Sequence, residues 1–142
     1  MMTTTLRTPI HLRQKWQIEL GPYLLLDELA RQLHVPASRV RELAVQKEIL
    51  EVHDARGTIL YPVFALADAS ADSTGYRVLP KLRCLLEVLA RSCEEEWLWA
   101  LWVSGWNPRH HGSAPIDALL QGDESVLAAA RNEDWSWTAH YF

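Results

Sequence analysis

The sequence predicts a mainly α-helical fold: an N-terminal winged helix-turn-helix-like module with a β-hairpin, then a C-terminal domain of four helices. Two short segments with apolar residues three and four positions apart, joined by a turn with proline, predict the helix-turn-helix. An alternating segment follows at once and predicts the hairpin. Between residues 77 and 133, four more helix-forming segments are separated by glycine or proline.

The composition is typical of one ordinary soluble domain or two very small ones. The chain has 142 residues, of which 49% are apolar and 23% charged, which excludes wholesale disorder and a disulfide-stabilised toxin scaffold. The longest apolar run, Trp97–Val103, has seven residues, whereas a membrane span needs roughly 20. The first residues lack an apolar signal segment, and the two cysteines lack metal-ligand spacing. We therefore expect a cytoplasmic protein with no membrane partner.

Changes in charge and pattern divide the chain into five parts. Residues 1–62 contain eight Lys/Arg and seven Asp/Glu, and residues 63–142 contain six and eleven, so a weakly basic front precedes an acidic rear. The predicted parts are an N-terminal arm (1–22), the helix-turn-helix with its hairpin (23–64), a linker (65–76), the helical domain (77–133) and an aromatic C-terminal tail (134–142).

The front helices are predicted from their apolar stripes and their stop signals. Leu26 to Leu33 has apolar residues at helical spacing, and Pro36 both ends this helix and begins a second, which runs to about Lys47. Residues 49–53 and 58–61 then alternate, and Gly57 supplies the positive φ that the turn between them needs.

The rear helices are predicted in the same way. A leucine-rich helix runs from about residue 80 to 92, and the next begins at three glutamates and stops at Gly105. Pro115 begins a short helix that ends at Gly122, and Asp123 caps the last helix, which runs to about Arg131.

The outward face of the second front helix is predicted to contact DNA, because one helix fits the major groove. Arg39 or Arg41 suits guanine and Gln46 suits adenine, whereas Lys47 and the hairpin residue Arg56 suit phosphate. The candidate DNA-binding residues are Ser38, Arg39, Arg41, Gln46, Lys47 and Arg56. The alternative is a helix-turn-helix retained for packing or protein contact. The helix is only weakly basic, so we expect a dimer or larger assembly on DNA.

Tryptophan is concentrated in the rear half: six of the seven lie in the last 46 residues. The segment from Trp97 to Pro108 has no charged residue, and a helix that is apolar all round must be covered on every side. We expect a second chain, or the protein's own tail, to cover the side that the leucine-rich helix leaves open. Trp99, Trp102 and Trp106 are therefore candidate partner-binding residues. The alternative is one intramolecular core that holds all the indoles.

The C-terminal tail has four aromatic residues in its last eight, which is unlike a solvated chain end. It either folds back on its own helices or extends into a pocket on a partner. The candidates for such a contact are Trp135, Trp137, Tyr141 and Phe142.

Catalytic signals are weak. His110-His111 lacks a carboxylate at ligand spacing, and no nucleophile-elbow, zinc-protease or phosphate-loop motif is present. We predict no enzyme activity, catalytic residue, metal site or cofactor.

One stretch, WLWALWVSGWNPRHHGSAPIDALLQGDESVLAAA from Trp97 to Ala130, resembles the toxin-binding domain of the MbcA/ParS/Xre antitoxin family. The resemblance rests on a tryptophan-bearing helix, an Asn-Pro pair, a Pro-x-Asp-x-Leu-Leu segment and a Gly-Asp pair before the last helix. The matching positions are Trp102, Asn107, Pro108, Pro115, Asp117, Leu119, Leu120, Gly122, Asp123, Val126 and Ala130.

The resemblance implies a type II antitoxin that binds and neutralises a cognate RES-type toxin that degrades NAD, and that represses its own operon by binding DNA. It adds Asn107, Pro108 and Arg109 to the partner-binding candidates. The first alternative is a stand-alone DNA-binding transcriptional regulator whose C-terminal domain mediates dimerisation. The second is a small enzyme that acts on NAD or another nucleotide.

Overall fold

A helix and a short strand precede the predicted helix-turn-helix in the computed structural model, which describes residues 10–68, 75–105 and 114–136 (only the backbone for 10–13). In these ranges the elements are α1 (Ile10–Glu19), β1 (Tyr23–Leu25), α2 (Leu26–Leu33), α3 (Ala37–Val45), β2 (Val52–His53), β3 (Ile59–Pro62), β4 (Leu66–Asp68), β5 (Tyr76–Val78), α4 (Leu82–Ala90), α5 (Glu96–Ser104), α6 (Pro115–Leu120) and α7 (Ser125–Arg131). None of these helices is long and apolar enough to cross a membrane.

Helices α2 and α3 pack together across a short turn, which is consistent with the predicted helix-turn-helix-like module. The left-handed backbone at His34 (φ 57°) ends α2, and Val35 N donates to Ala30 O across the turn. Leu29 and Val40 are fully buried where the helices pack together. Helix α3 ends at Val45, before the predicted end at about Lys47, because the backbone turns left-handed at Lys47 (φ 62°).

The predicted hairpin follows α3. Strands β2 and β3 are antiparallel, with Val52 opposite Leu60, and Gly57 has the expected positive φ of 84°. The Asp54 carboxylate accepts hydrogen bonds from the backbone N of Arg56 and of Thr58, both at 2.8 Å, which fixes the turn. Strand β1, which the sequence did not predict, pairs with the other edge of β3.

The predicted linker (65–76) is ordered at both ends. Leu66 and Ala67 are buried, and β4 pairs with β5 in an antiparallel ladder. Tyr76 N also donates to the Gln32 side chain at 3.2 Å, which attaches β5 to α2. The small and polar residues of this stretch indicated a linker, but the alanines pack closely against the core. Residues 69–74 lie outside the described ranges.

The four rear helices begin and end close to their predicted positions. Helix α5 ends at Gly105 with a left-handed φ of 84°, and Pro115 is the first residue of α6. Before α7, the Asp123 carboxylate accepts a hydrogen bond from Ser125 N at 2.9 Å. Helix α4 packs on both α5 and α7.

Residues 10–19 of the predicted N-terminal arm (1–22) instead form helix α1, which belongs to the core, and residues 1–9 lie outside the described ranges. Trp16 of α1 is 0% exposed, Leu20 just beyond the helix is buried, and α1 packs on α5. The hairpin residues Val52 and Leu60 belong to the same apolar cluster as the rear helices. The buried residues of α2 and α3 belong to a second cluster, which includes Leu29, Val40 and Tyr61 of β3. The hairpin therefore contributes to both clusters and connects the front module to the rear helices.

Candidate nucleic-acid interface

The outer face of α3 is exposed along its length. Val40 is fully buried, and the opposite side of the helix carries Ser38, Glu42 and Val45, all of which are exposed. Glu42 follows Ser38 by four positions and precedes Val45 by three, so the three residues share one face. Gln46 just after the helix is also exposed. The predicted residues Ser38 and Gln46 therefore lie on the surface, together with Glu42 and Val45, which the sequence analysis did not select.

Arg39 lies at one flank of this face and is paired with Glu42. Its Nη1 is 3.0 Å from Glu42 Oε2, and the two side chains are 46% and 61% exposed. An exposed pair of this kind contributes only about 0–1 kcal/mol to stability. The guanidinium of Arg39 can therefore leave Glu42 for another anion at little cost.

Arg41 lies at the other flank and is held toward the hairpin. Its Nη2 is 3.5 Å from Glu51 Oε1, and the Glu51 side chain is only 10% exposed. Glu51 also accepts a hydrogen bond from the hydroxyl of Tyr61 in β3 at 2.9 Å. Burial, and then the hydrogen bond to Glu51, raise the pKa of the Tyr61 hydroxyl. The ion pair with Glu51 therefore restricts the position of the Arg41 side chain.

The last two predicted cations flank the module. Lys47 follows α3 and is half-buried, and Arg56 lies exposed at the tip of the β2–β3 hairpin. All six residues predicted to bind DNA thus lie on α3, directly after it, or at the hairpin tip.

The hairpin is fixed to the first turn of α5 by polar contacts around His53. Glu96 Oε1 accepts a hydrogen bond from His53 N at 2.8 Å and lies 2.9 Å from His53 Nδ1. The indole Nε1 of Trp97 donates to His53 O at 2.9 Å. Burial raises the pKa of the Glu96 carboxyl, and the contacts with His53 oppose that shift. The sequence offered no signal for these contacts, since the partners are 43 and 44 residues apart.

The described indoles of the rear half are covered by the chain itself. Trp97 and Trp102 are 0% exposed, Trp135 is 6% exposed, and only Trp99 among them is half-buried. Each finds a hydrogen-bond acceptor: Trp99 Nε1 donates to Cys93 O, Trp102 Nε1 to Glu133 Oε2 and Trp135 Nε1 to Ser92 Oγ.

Of the two covers expected for α5, a second chain or the protein's own tail, the described residues show cover from within the chain. Helices α1, α4 and α6 pack on α5, and Trp135 of the tail lies in the same apolar cluster. The alternative of one core that holds all the indoles stays a prediction. Trp102 and Trp135 therefore offer no exposed ring to a partner in this conformation, whereas Trp99 does in part. The other predicted partner-binding residues lie outside the described ranges: Trp106, Asn107, Pro108, Arg109, Trp137, Tyr141 and Phe142.

Trp99 faces a small cleft between the helix-turn-helix and the rear helices. The cleft has a volume of about 130 Å³, and its apolar lining includes Val45, Ile49, Leu86 and Trp99.

Over the described ranges, no group of three or more His, Cys, Asp or Glu side chains is placed to hold a metal ion. Cys84 and Cys93 are free thiols, the first exposed and the second buried, and burial raises the pKa of Cys93.

Comparison with known proteins gives a likeness in fold. A solved structure described as the NMR structure of Rv2175c is similar to this chain with a TM-score of 0.59 and 19% sequence identity. The similarity covers 86% of this chain and 82% of that one. At this identity the likeness concerns the fold alone. No protein-family model matches the sequence, and no curated protein matches it.

Proposed function

We propose that this protein is a DNA-binding transcriptional regulator, with α3 in the major groove and the β2–β3 hairpin as a wing against the sugar-phosphate backbone. The observation that carries the proposal is the exposed polar face of α3, the second helix of a helix-turn-helix. This is the helix that enters the groove in such proteins. Nothing in the described part of the chain packs over Ser38 or Glu42 on that face, since both stay exposed.

The arrangement of cations supports the same proposal. Arg39 and Arg41 lie on the two flanks of α3, and Arg56 lies on the hairpin tip. Groove-flanking cations of this kind contact phosphates, which supply most of the sequence-independent affinity. Four cations including Lys47 give a modest attraction, so stable binding requires two copies on one site.

The test is binding of the full chain to a duplex from its own upstream region, followed by fluorescence anisotropy between 50 and 200 mM salt. Arg39→Ala and Arg41→Ala should each weaken binding and should reduce the slope of log K against log salt by about 0.9. Arg131→Ala is the matched control, because Arg131 is an exposed arginine at the end of α7. Wild-type binding that is absent even at 50 mM salt would refute the proposal.

The antitoxin hypothesis is a second candidate and stays a prediction. What supports it is the order of α5, α6 and α7, whose ends at Gly105, Pro115 and Gly122 agree with the segments of the family resemblance. Its partner would be a RES-type toxin that degrades NAD. The chain should then co-purify with the product of a neighbouring reading frame, and should rescue cells from that product. A regulator whose rear helices mediate dimerisation would instead purify with copies of itself.

A further inference from the structure

The central ridge of α3 is not basic. The residues farthest from buried Val40 are Ser38, Glu42 and Val45, which succeed one another at spacings of four and three along the helix. Residues at this spacing form one row on the helix surface. We call these three residues the α3 ridge. The Glu42 side chain is 61% exposed and Val45 is 76% exposed, while Arg39 and Arg41 lie beside the ridge.

The chemistry of the ridge selects particular base edges. A carboxylate only accepts hydrogen bonds, so Glu42 suits the N4 amino group of cytosine and is repelled by the acceptors N7 and O6 of guanine. The isopropyl group of Val45 suits the C5-methyl of thymine. A serine hydroxyl pairs with either a donor or an acceptor, and Ser38 is accordingly less selective.

Glu42 loses its present partner when Arg39 binds a phosphate. Arg39 Nη1 is 3.0 Å from Glu42 Oε2 in an exposed pair, which separates at little cost. In the groove, Glu42 loses water and needs a donor, because a carboxylate without a partner there costs more than a neutral group. A cytosine amino group supplies that donor and a guanine does not.

We propose that Glu42 and Val45 set the sequence preference of this protein, by accepting a hydrogen bond from a cytosine amino group and by packing on a thymine methyl group. The arginines at the flanks bind phosphates. This inference rests on the proposed DNA-binding function. The rise between residues 42 and 45 is about 4.5 Å, which lies between one and two of the 3.4 Å steps of a DNA strand, so the two bases lie one or two base pairs apart.

The test is selection of binding sites by the full chain from a random duplex library, compared among variants. Wild type should enrich a cytosine one or two base pairs from a thymine. Glu42→Gln should replace the cytosine preference by adenine, because glutamine can both donate and accept, and should leave the thymine preference in place. Val45→Ala should abolish the thymine preference and leave the cytosine preference in place. Arg131→Ala, distant on α7, should select the wild-type sequence.

A second measurement isolates the methyl contact. Replacing the selected thymine by deoxyuridine removes only the methyl group, and should weaken wild-type binding about threefold or more while leaving Val45→Ala binding unchanged. If wild type binds DNA without sequence preference, or if both variants select the wild-type sequence, the inference is overturned and DNA binding stands. If wild type does not bind DNA at all, both proposals fail. Thermal unfolding of each variant verifies that it is folded.

Discussion

At the scale of single residues, Gly57 and Gly105, two of the three described glycines with a positive φ, differ in their surroundings. Both have a φ of 84°, which L side chains rarely adopt. A Cβ at Gly57 would meet nothing within 4 Å, whereas one at Gly105 would lie 3.0 Å from Ala114 Cβ and 3.1 Å from Ala114 Cα. Gly105 therefore combines a backbone requirement with a close approach between α5 and the residue before α6.

This difference gives a prediction with its own control. Gly57→Ala should lower the free energy of unfolding by about 1 kcal/mol, the cost of the left-handed backbone alone. Gly105→Ala should cost about 1–3 kcal/mol more, because the added methyl group forces neighbouring backbone to move. Urea titration followed by tryptophan fluorescence measures both. Equal losses for the two variants would show that the close approach at Ala114 is relieved freely.

Glu96 gives a second prediction at this scale. Glu96→Ala removes the acceptor from His53 N at the contact between the hairpin and α5, and should lower the free energy of unfolding by about 1–3 kcal/mol. Glu96→Gln keeps a carbonyl acceptor and avoids burying a charge, so it should cost less than Glu96→Ala. Chemical denaturation at pH 7 compares the two. A glutamine variant as unstable as the alanine variant would mean that the carboxylate charge, and not the hydrogen bond, makes the contact.

At the scale of elements, the predictable parts are those with local signals. Helices α2 and α4 follow from apolar periodicity, α5 follows from its start and stop signals, and the hairpin turn follows from Gly57, because each of these signals lies within or directly beside the element. The outer face of α3 was predictable for the same reason. Its acidic and apolar members, Glu42 and Val45, were not among the predicted contacts, because basic and uncharged polar side chains are the usual partners of DNA.

The elements that were missed depend on contacts far away in sequence. Helix α1 is stabilised by burial of Trp16 against α5, and its own sequence offers little more than Trp16 and Leu20 as an apolar stripe. Strands β4 and β5 have three residues each and gain order from pairing with one another. Short elements of this kind are decided by tertiary packing and not by local propensity. The same holds for the contacts around His53.

At the scale of the whole molecule, the hairpin connects two apolar clusters, and this connection decides how the protein should unfold. Val52 and Leu60 of the hairpin lie in the same cluster as Trp16 and the buried residues of α4 and α5, whereas Tyr61 of β3 lies in the cluster of Val40. We expect a chain of this size, with its clusters joined in this way, to unfold as one cooperative unit. The front module should therefore depend on the rear helices for stability.

Trp16 tests this dependence, since it lies in the N-terminal helix and far in sequence from α3. Trp16→Ala should lower the free energy of unfolding by about 3–5 kcal/mol. The protection of backbone amides from hydrogen exchange should fall by the same free energy at Val40 in α3 as at Leu101 in α5. Trp16→Phe, which keeps an aromatic ring, is the matched control and should lose clearly less. A loss confined to the α5 amides would mean that the helix-turn-helix unfolds independently, and that DNA binding could survive without the rear helices.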